Sequence, residues 1–330
     1  MKQPLALTTG LACLWLGVGP GTAQASPQTI TPGTVWRDTE GHVIQAHGGG
    51  VIQAGKTYYW FGEDHAQGYL FQDVPCYASQ DLAHWTFKGD ALTQQPGGDL
   101  GPNRVVERPK VLYNPHTRTY VMYLHIDDTH YAEAKVGVAT GKRMEGPYTY
   151  RGSFRPLDHQ SRDMTLFQDS NGTGYLVFED RERGVCIAAL SPDYLSVERE
   201  VALIPQHYEA LAVVKIGPTY FLLGSHLSGW AANDNEYATA PSLAGPWSAF
   251  QNVAPPGTKT YDSQAAYILP VHGRRATTYI YVGDRWNPRD LGDSRYVWLP
   301  LTVGDHSLFL PSDAPWAIDA ATGLVSTPKP

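Results

Sequence analysis

Charge is scarce in this chain of 330 residues. Asp, Glu, Lys and Arg make up 17% of it, the formal net charge is −7, and no basic run occurs. Nucleic acid is therefore excluded as a partner, because neutralising phosphates takes clustered Lys and Arg. Beyond the first 25 residues no apolar run reaches the roughly 18 residues of a membrane helix, which excludes a helical membrane protein. Signatures of other chemistries are missing too: there is no H-E-x-x-H, G-x-S-x-G, phosphate loop or dinucleotide fingerprint. Cysteine is limited to Cys13, Cys76 and Cys186, too few for a disulfide scaffold.

Glycine and aromatics are plentiful instead, with 33 Gly, 20 Tyr and nine Trp. That balance favours strands and tight turns over helix bundles. The N-terminus reads as a secretory signal over residues 1–25: Lys2, an apolar stretch at 5–18, and the cleavage pattern Ala23-Gln24-Ala25. Cys13 follows Gly10-Leu11-Ala12, a poor lipobox, and the apolar residues continue past it. The expected destination is secreted or periplasmic, where a disulfide is permitted. Cys76 and Cys186 occupy similar places in non-adjacent repeats, however, and are expected to be buried free thiols.

Five stretches repeat one plan. They start at His47, Glu107, Asp163, Glu209 and Gln264, spaced 60, 56, 46 and 55 residues apart. A short turn after each start leads to a strand headed by an aromatic: Thr57-Tyr-Tyr-Trp-Phe, Thr119-Tyr-Val-Met-Tyr, Gly174-Tyr-Leu-Val-Phe, Thr219-Tyr-Phe-Leu-Leu and Thr278-Tyr-Ile-Tyr-Val. A third strand follows each, and a more polar fourth closes several. Asn114-Pro-His-Thr and Asp169-Ser-Asn-Gly-Thr-Gly provide hairpin turns, and Asn171-Gly-Thr173 in the latter doubles as a glycosylation sequon. The turn at Met144-Glu-Gly-Pro-Tyr148 is reused at Leu243-Ala-Gly-Pro-Trp247. Such spacings suit propeller blades of roughly 40–50 residues with insertions. The expected fold is all-β, a five-bladed β-propeller over residues 26–319, with residues 34–46 adding a strand that closes the ring and 320–330 a loose tail.

In a propeller the first strand of each blade borders the axis. Glu107, Asp163, Glu209 and Gln264 would then converge at one end, with His47 and the Gly48 backbone on the fifth side. Glycoside hydrolysis uses two carboxyl groups, one protonated and one ionised. Crowded carboxylates raise at least one pKa, so the cluster makes its own general acid. Trp60, Tyr123, Tyr131, Trp230 and Trp286, on inner strands or the loops after them, offer faces for sugar stacking or core packing, and Asn233 lies in the polar loop that carries Trp230. Arg108 and Arg162, beside Glu107 and Asp163, suggest structural ion pairs as well. The run Leu124-His-Ile-Asp-Asp-Thr-His130 has metal-ligand residue types, but on a strand only His125 and Asp127 share a face, and no metal is expected there.

The blade starts Gln45-Ala-His47-Gly-Gly-Gly50, Glu107-Arg-Pro-Lys110, Arg162-Asp-Met164, Tyr208-Glu-Ala210 and Asp262-Ser-Gln264 resemble those of glycoside hydrolase family 43. They are most similar to its exo-β-1,3-galactanase group, over about residues 42–303. The resemblance implies an inverting enzyme that releases galactose from β-1,3-galactan, such as an arabinogalactan backbone, acts as a monomer and requires no cofactor. An axial calcium, known in relatives, stays open. It implies Glu209 as general acid, Asp163 as the group tuning it, Glu107 as sugar binder and candidate base, and Gln264 beside the attacking water. Wider family members carry a base Asp at the first blade start, where this chain has His47-Gly48-Gly49, as the galactanases do. The base is left between Glu107 and Gln264. The alternatives are an α-L-arabinofuranosidase or β-xylosidase of the same family, and a non-catalytic sugar-binding propeller.

Overall fold

Short, mostly apolar runs buried on both faces, broken by Gly, Asn and Asp turns, make hairpin-connected strands out of nearly the whole of the described chain. The computed structural model describes Met1 and residues 28–328; the secretory signal expected at residues 1–25 lies, Met1 aside, outside them. After β1 (Thr29–Ile30) the strands run in order. The first sheet holds β2 (His47–Ala54), β3 (Thr57–Glu63), β4 (Asp73–Ser79) and β5 (Thr86–Thr93). The second holds β6 (Val105–Asn114), β7 (Thr119–Asp127), β8 (Lys135–Gly141) and β9 (Thr149–Phe154). The third has β10 (Met164–Gln168), β11 (Gly174–Asp180), β12 (Gly184–Leu190) and β13 (Val197–Ile204). The fourth has β14 (Glu209–Ile216), β15 (Thr219–Ser225), β16 (Glu236–Ala240) and β17 (Gln251–Asn252). A fifth, three-stranded sheet comprises β18 (Gln264–His272), β19 (Thr277–Arg285) and β20 (Arg295–Pro300). Helix is nearly absent from the described residues. No described helix is long and apolar enough to cross a membrane.

Each first strand neighbours the next in chain order, and β18 returns to β2. The core follows the same cycle. Leu176 and Phe178 of β11 pack with the second sheet, whereas Val177 between them packs with the fourth. Four further apolar side chains, Trp60, Leu269, Ile280 and Trp298, join the first sheet to the fifth. Cys76 and Cys186 are buried free thiols in two such clusters. Trp60 and Tyr123 are likewise core, 1% and 0% exposed. Both Gly–Pro bonds of the reused turn, Gly146-Pro147 and Gly245-Pro246, are cis.

Two expectations are corrected. Residues 34–46 do not add a strand to the fifth sheet, since Asp38 caps their turn by accepting from the Glu40 and His42 amides at 2.9 Å, a local alternative to pairing. The junction is instead an aromatic latch. Trp36 packs on Tyr296 and Trp298, both at 5.4 Å, and the Tyr296 hydroxyl donates to the Ile44 carbonyl at 2.9 Å. Residues 320–328 are not loose either. The chain continues through the hairpin β21 (Thr302–Gly304) and β22 (Ser307–Phe309), and then β23 (Trp316–Asp319) pairs with both β1 and β24 (Leu324–Ser326). The backbone at Ala321 and Thr322 accepts from Arg274, Arg275 and Ala276.

One irregularity recurs at the start of four of these five sheets; the third, which Asp163 precedes, has none. A register shift follows His47, Glu107, Glu209 and Ala265 in their first strands. Gly48, Arg108 and Ala210 sit there at φ of 57°, 55° and 56°. A bulge re-aims the side chains around it, and a left-handed non-glycine residue costs about 1–2 kcal/mol.

Candidate active site

The re-aimed starts open onto a cavity of about 390 Å³ whose wall includes Glu107, Asp163, Glu209, Gln264, Tyr131, Trp230 and Trp286. Seven of the ten residues expected from sequence therefore meet there. The other three do not line it. His47 is fully buried, with Nδ1 2.9 Å from Asp284 and its ring stacked on Tyr296 at 4.6 Å. Gly48 lies beneath Glu63: its amide donates to Asp284, and a Cβ on it would come within 1.9 Å of Glu63 Oε1. Asn233 spends its side chain on its own loop, bonding His226 N, His226 O and Ser228 Oγ. It shapes the loop that carries Trp230.

Sequence reading missed a second ring of polar residues, at the ends of the second strands. Glu63, His125, Glu179, Ser225 and Asp284 are 4%, 1%, 1%, 0% and 3% exposed. A signal existed: counted from the head of each quoted second strand, they fall five or six residues on in every repeat. Four of them pair directly with a start residue, as His47↔Glu63, Glu107↔His125, Glu209↔Ser225 and Gln264↔Asp284. Glu63 brings a carboxylate to the cavity from the first sheet, whose start at His47 has none. Its Oε1 accepts from Arg108 N at 2.8 Å and its Oε2 faces His65 Nε2 at 2.8 Å.

Arg108 does not pair with its neighbour Glu107. Its guanidinium crosses the ring, donating to Gln264 Oε1 at 2.7 Å and Ala265 O at 3.0 Å, and lies 2.9 Å from Asp163. Arg162 in turn reaches Asp127, at 3.4 Å, rather than Asp163. Beneath Arg108, buried Lys110 donates to Gly48 O at 2.7 Å. Burial and then Arg108 push the Lys110 ammonium down to about 7.

The carboxyl groups are unequal. Glu209 is 6% exposed; burial, then Asp163 and Glu179, push its pKa up to about 8. It keeps a hydrogen bond from Gln264 Nε2 at 3.0 Å, with Arg181 3.7 Å from its other oxygen. Burial would also raise Asp163, but Arg108 and His125 outweigh it and hold this carboxyl below the usual range. One group is thus poised to give a proton and its neighbour stays charged. Glu107 is held on both oxygens, by Tyr131 OH at 2.7 Å and His125 Nδ1 at 3.0 Å. Gln264 uses all its amide valences: Nε2 donates to Glu209 and Ser225, while Oε1 accepts from Arg108 and from Trp286 Nε1 at 2.8 Å. Trp230 and Trp286 meet edge to face at 5.0 Å and form an aromatic wall.

Glu107, His125 and Asp163 approach closely enough to suggest a cation site, but their chemistry does not fit calcium. Both His125 nitrogens face carboxylates, Asp163 is matched by Arg108, and the Lys110 side chain fills the space beneath Arg108. Calcium prefers six to eight oxygen ligands.

The family model for glycosyl hydrolases family 43 matches residues 47–278. An exo-β-1,3-galactanase from Phanerochaete chrysosporium, solved with β-1,3-galactotriose, is 43% identical with a TM-score of 0.87. That match covers 91% of this chain and 70% of the relative. The same enzyme has been solved with galactose. An exo-β-1,3-galactanase from Clostridium thermocellum is 37% identical with a TM-score of 0.87, over 92% of this chain and 69% of its own. No curated protein matches.

Proposed function

The chain belongs to glycoside hydrolase family 43 and is a glycoside hydrolase; from that premise we propose that it is a secreted, inverting exo-β-1,3-galactanase on a five-bladed propeller. The closed cycle of first strands supports the propeller reading. The galactan reading draws on the solved relatives named above.

The observation that carries the chemistry is the contrast between Glu209 and the groups around it. Glu209, raised to about 8, is protonated at neutral pH and gives its proton to the glycosidic oxygen as the bond to C1 breaks. Water attacks C1 from the opposite face, and Glu107 takes its proton. Both carboxyls then return to their starting states by exchange with solvent. Glu107 is preferred to Gln264 as base because the Gln264 oxygen already accepts from a guanidinium and an indole. A neutral amide so engaged has little basicity left. It is preferred to Glu63 because its side chain is 10% exposed against 4%, and because Glu63 is tied to the Arg108 backbone. Trp230 and Trp286 would stack on the apolar faces of the galactose rings.

The test is Glu209→Gln assayed on β-1,3-galactan oligosaccharides. The proposal expects galactose release by the parent chain, and loss of most turnover with retained binding in the variant. Cleavage of arabinan or xylan in place of galactan would reassign the substrate. Binding without turnover in the parent would make the chain a sugar-binding module.

A further inference from the structure

His125 is 1% exposed and uses both ring nitrogens on carboxylates. Nδ1 lies 3.0 Å from Glu107 Oε2, and Nε2 lies 3.0 Å from Asp127 Oδ2. Asp127 is itself surrounded by donors. Its Oδ1 accepts from the amides of Asp128 at 3.0 Å and Glu133 at 2.8 Å. Its Oδ2 accepts from Ala134 N at 3.1 Å and faces Arg162 at 3.4 Å. A carboxylate with so many donors is acceptor-only, so the nitrogen facing it carries a proton. On the other side, Glu107 already receives Tyr131 OH at its far oxygen.

We propose that His125, anchored by Asp127, is a positioning residue for Glu107: an imidazolium donating both its protons, one to each flanking carboxylate, which aims Glu107 into the pocket. The inference rests on Glu107 being the base. Asp127 lies two residues from His125 on one strand, so both face the same side of the sheet. The loop after that strand folds back to cap Asp127 with its own amides and to bring Tyr131, at φ 55°, onto Glu107. Strand, cap and tyrosine thus form one unit ending at a single carboxylate.

The charged groups around His125 favour the imidazolium. Glu107 and Asp127 are its hydrogen-bond partners, and Asp163 and Glu179 act on it from the third sheet. Arg108 and Arg162 oppose it, but each is matched by a carboxylate, Asp163 and Asp127 respectively. Burial lowers the imidazole, and the hydrogen bonds to Asp127 and Glu107 outweigh burial and raise it to about 9. The ring therefore stays charged through neutral pH. A neutral buried histidine would need one acceptor and one donor, whereas both partners here are carboxylates.

Two readouts test this. In ¹⁵N NMR of the whole protein, both His125 nitrogens should remain protonated to pH 8 and lose a proton earlier in Asp127→Asn. In kinetics, His125→Gln should move the acidic limb of the kcat/KM profile up by about one pH unit, roughly tenfold in activity below the limb, while leaving the alkaline limb in place. Asp127→Asn should move the same limb in the same direction, and serves if the glutamine variant does not fold. A wild-type His125 that titrates near its ordinary value overturns the proposal. So does a variant that loses activity without moving the acidic limb. Full turnover in Glu107→Gln would overturn the base assignment instead, and the NMR titration would still decide the state of His125.

Discussion

Gln264 Nε2 donates to Glu209 Oε1 at 3.0 Å, and it can do so because Arg108 and Trp286 hold the other end of the amide. This fixed amide sets the direction of the Glu209 carboxyl and leaves its second oxygen toward Arg181. Replacing Gln264 by Ala frees that carboxyl to rotate. The expected result is a kcat loss of about 10²-fold or more, with a smaller change in KM, measured on galactan oligosaccharides.

Glu209 must be protonated to act, so activity should fall as pH rises through its value of about 8. Asp163→Asn removes the charge that, after burial, contributes most to raising it. The alkaline limb of kcat/KM should then move to lower pH, by about one unit or more. An unmoved limb would show that another group sets it.

Arg108 is 6% exposed and its charge is matched by Asp163. Replacing it by Met strands that carboxylate and removes the bonds to Gln264 and Ala265. Breaking a buried pair from one side costs about 3–5 kcal/mol. A lowered midpoint in denaturant melts, with an unchanged slope, would report it.

Gly48 has φ 57° and no room for a Cβ beside Glu63. Gly48→Ala should displace Glu63 and destabilise the chain by about 1–3 kcal/mol, from backbone strain and overpacking. Activity should fall further than stability accounts for, since Glu63 lines the cavity.

Trp286 faces the cavity and donates to Gln264. Trp286→Phe keeps a ring but loses the donor, and should lower kcat more than it raises KM. Trp230 makes no such bond, so Trp230→Ala should act mainly on KM.

Much of this was legible in the sequence because a repeated polar start, an aromatic at the head of each second strand and the turns between them are local signals. Glu107, Asp163, Glu209 and Gln264 could be named from their place in the repeat alone. His47 could not be placed in the same way. Gly48 adopts a left-handed conformation at the bulge, and Glu63 arrives from the next strand to face the cavity while His47 turns into the core. Asn233 failed for a different reason, since a polar loop residue often satisfies its own backbone before any ligand. Arg108 looked like a partner for the residue beside it, but its reach carries the charge across the ring to Asp163. The second ring, from Glu63 to Asp284, was periodic in sequence. It was overlooked because strand ends are expected to be polar for solubility, whereas these ends are buried. The latch at Trp36 and Tyr296 had no sequence signal beyond its aromatics.

In the proposed reaction Glu209 and an opposing base cleave a β-1,3-galactosidic bond with inversion. The most direct measurement is a time-resolved ¹H NMR spectrum of β-1,3-galactobiose or galactotriose during hydrolysis, before mutarotation. With inversion, α-galactose should appear first. First appearance of β-galactose, or no galactose at all, would contradict it.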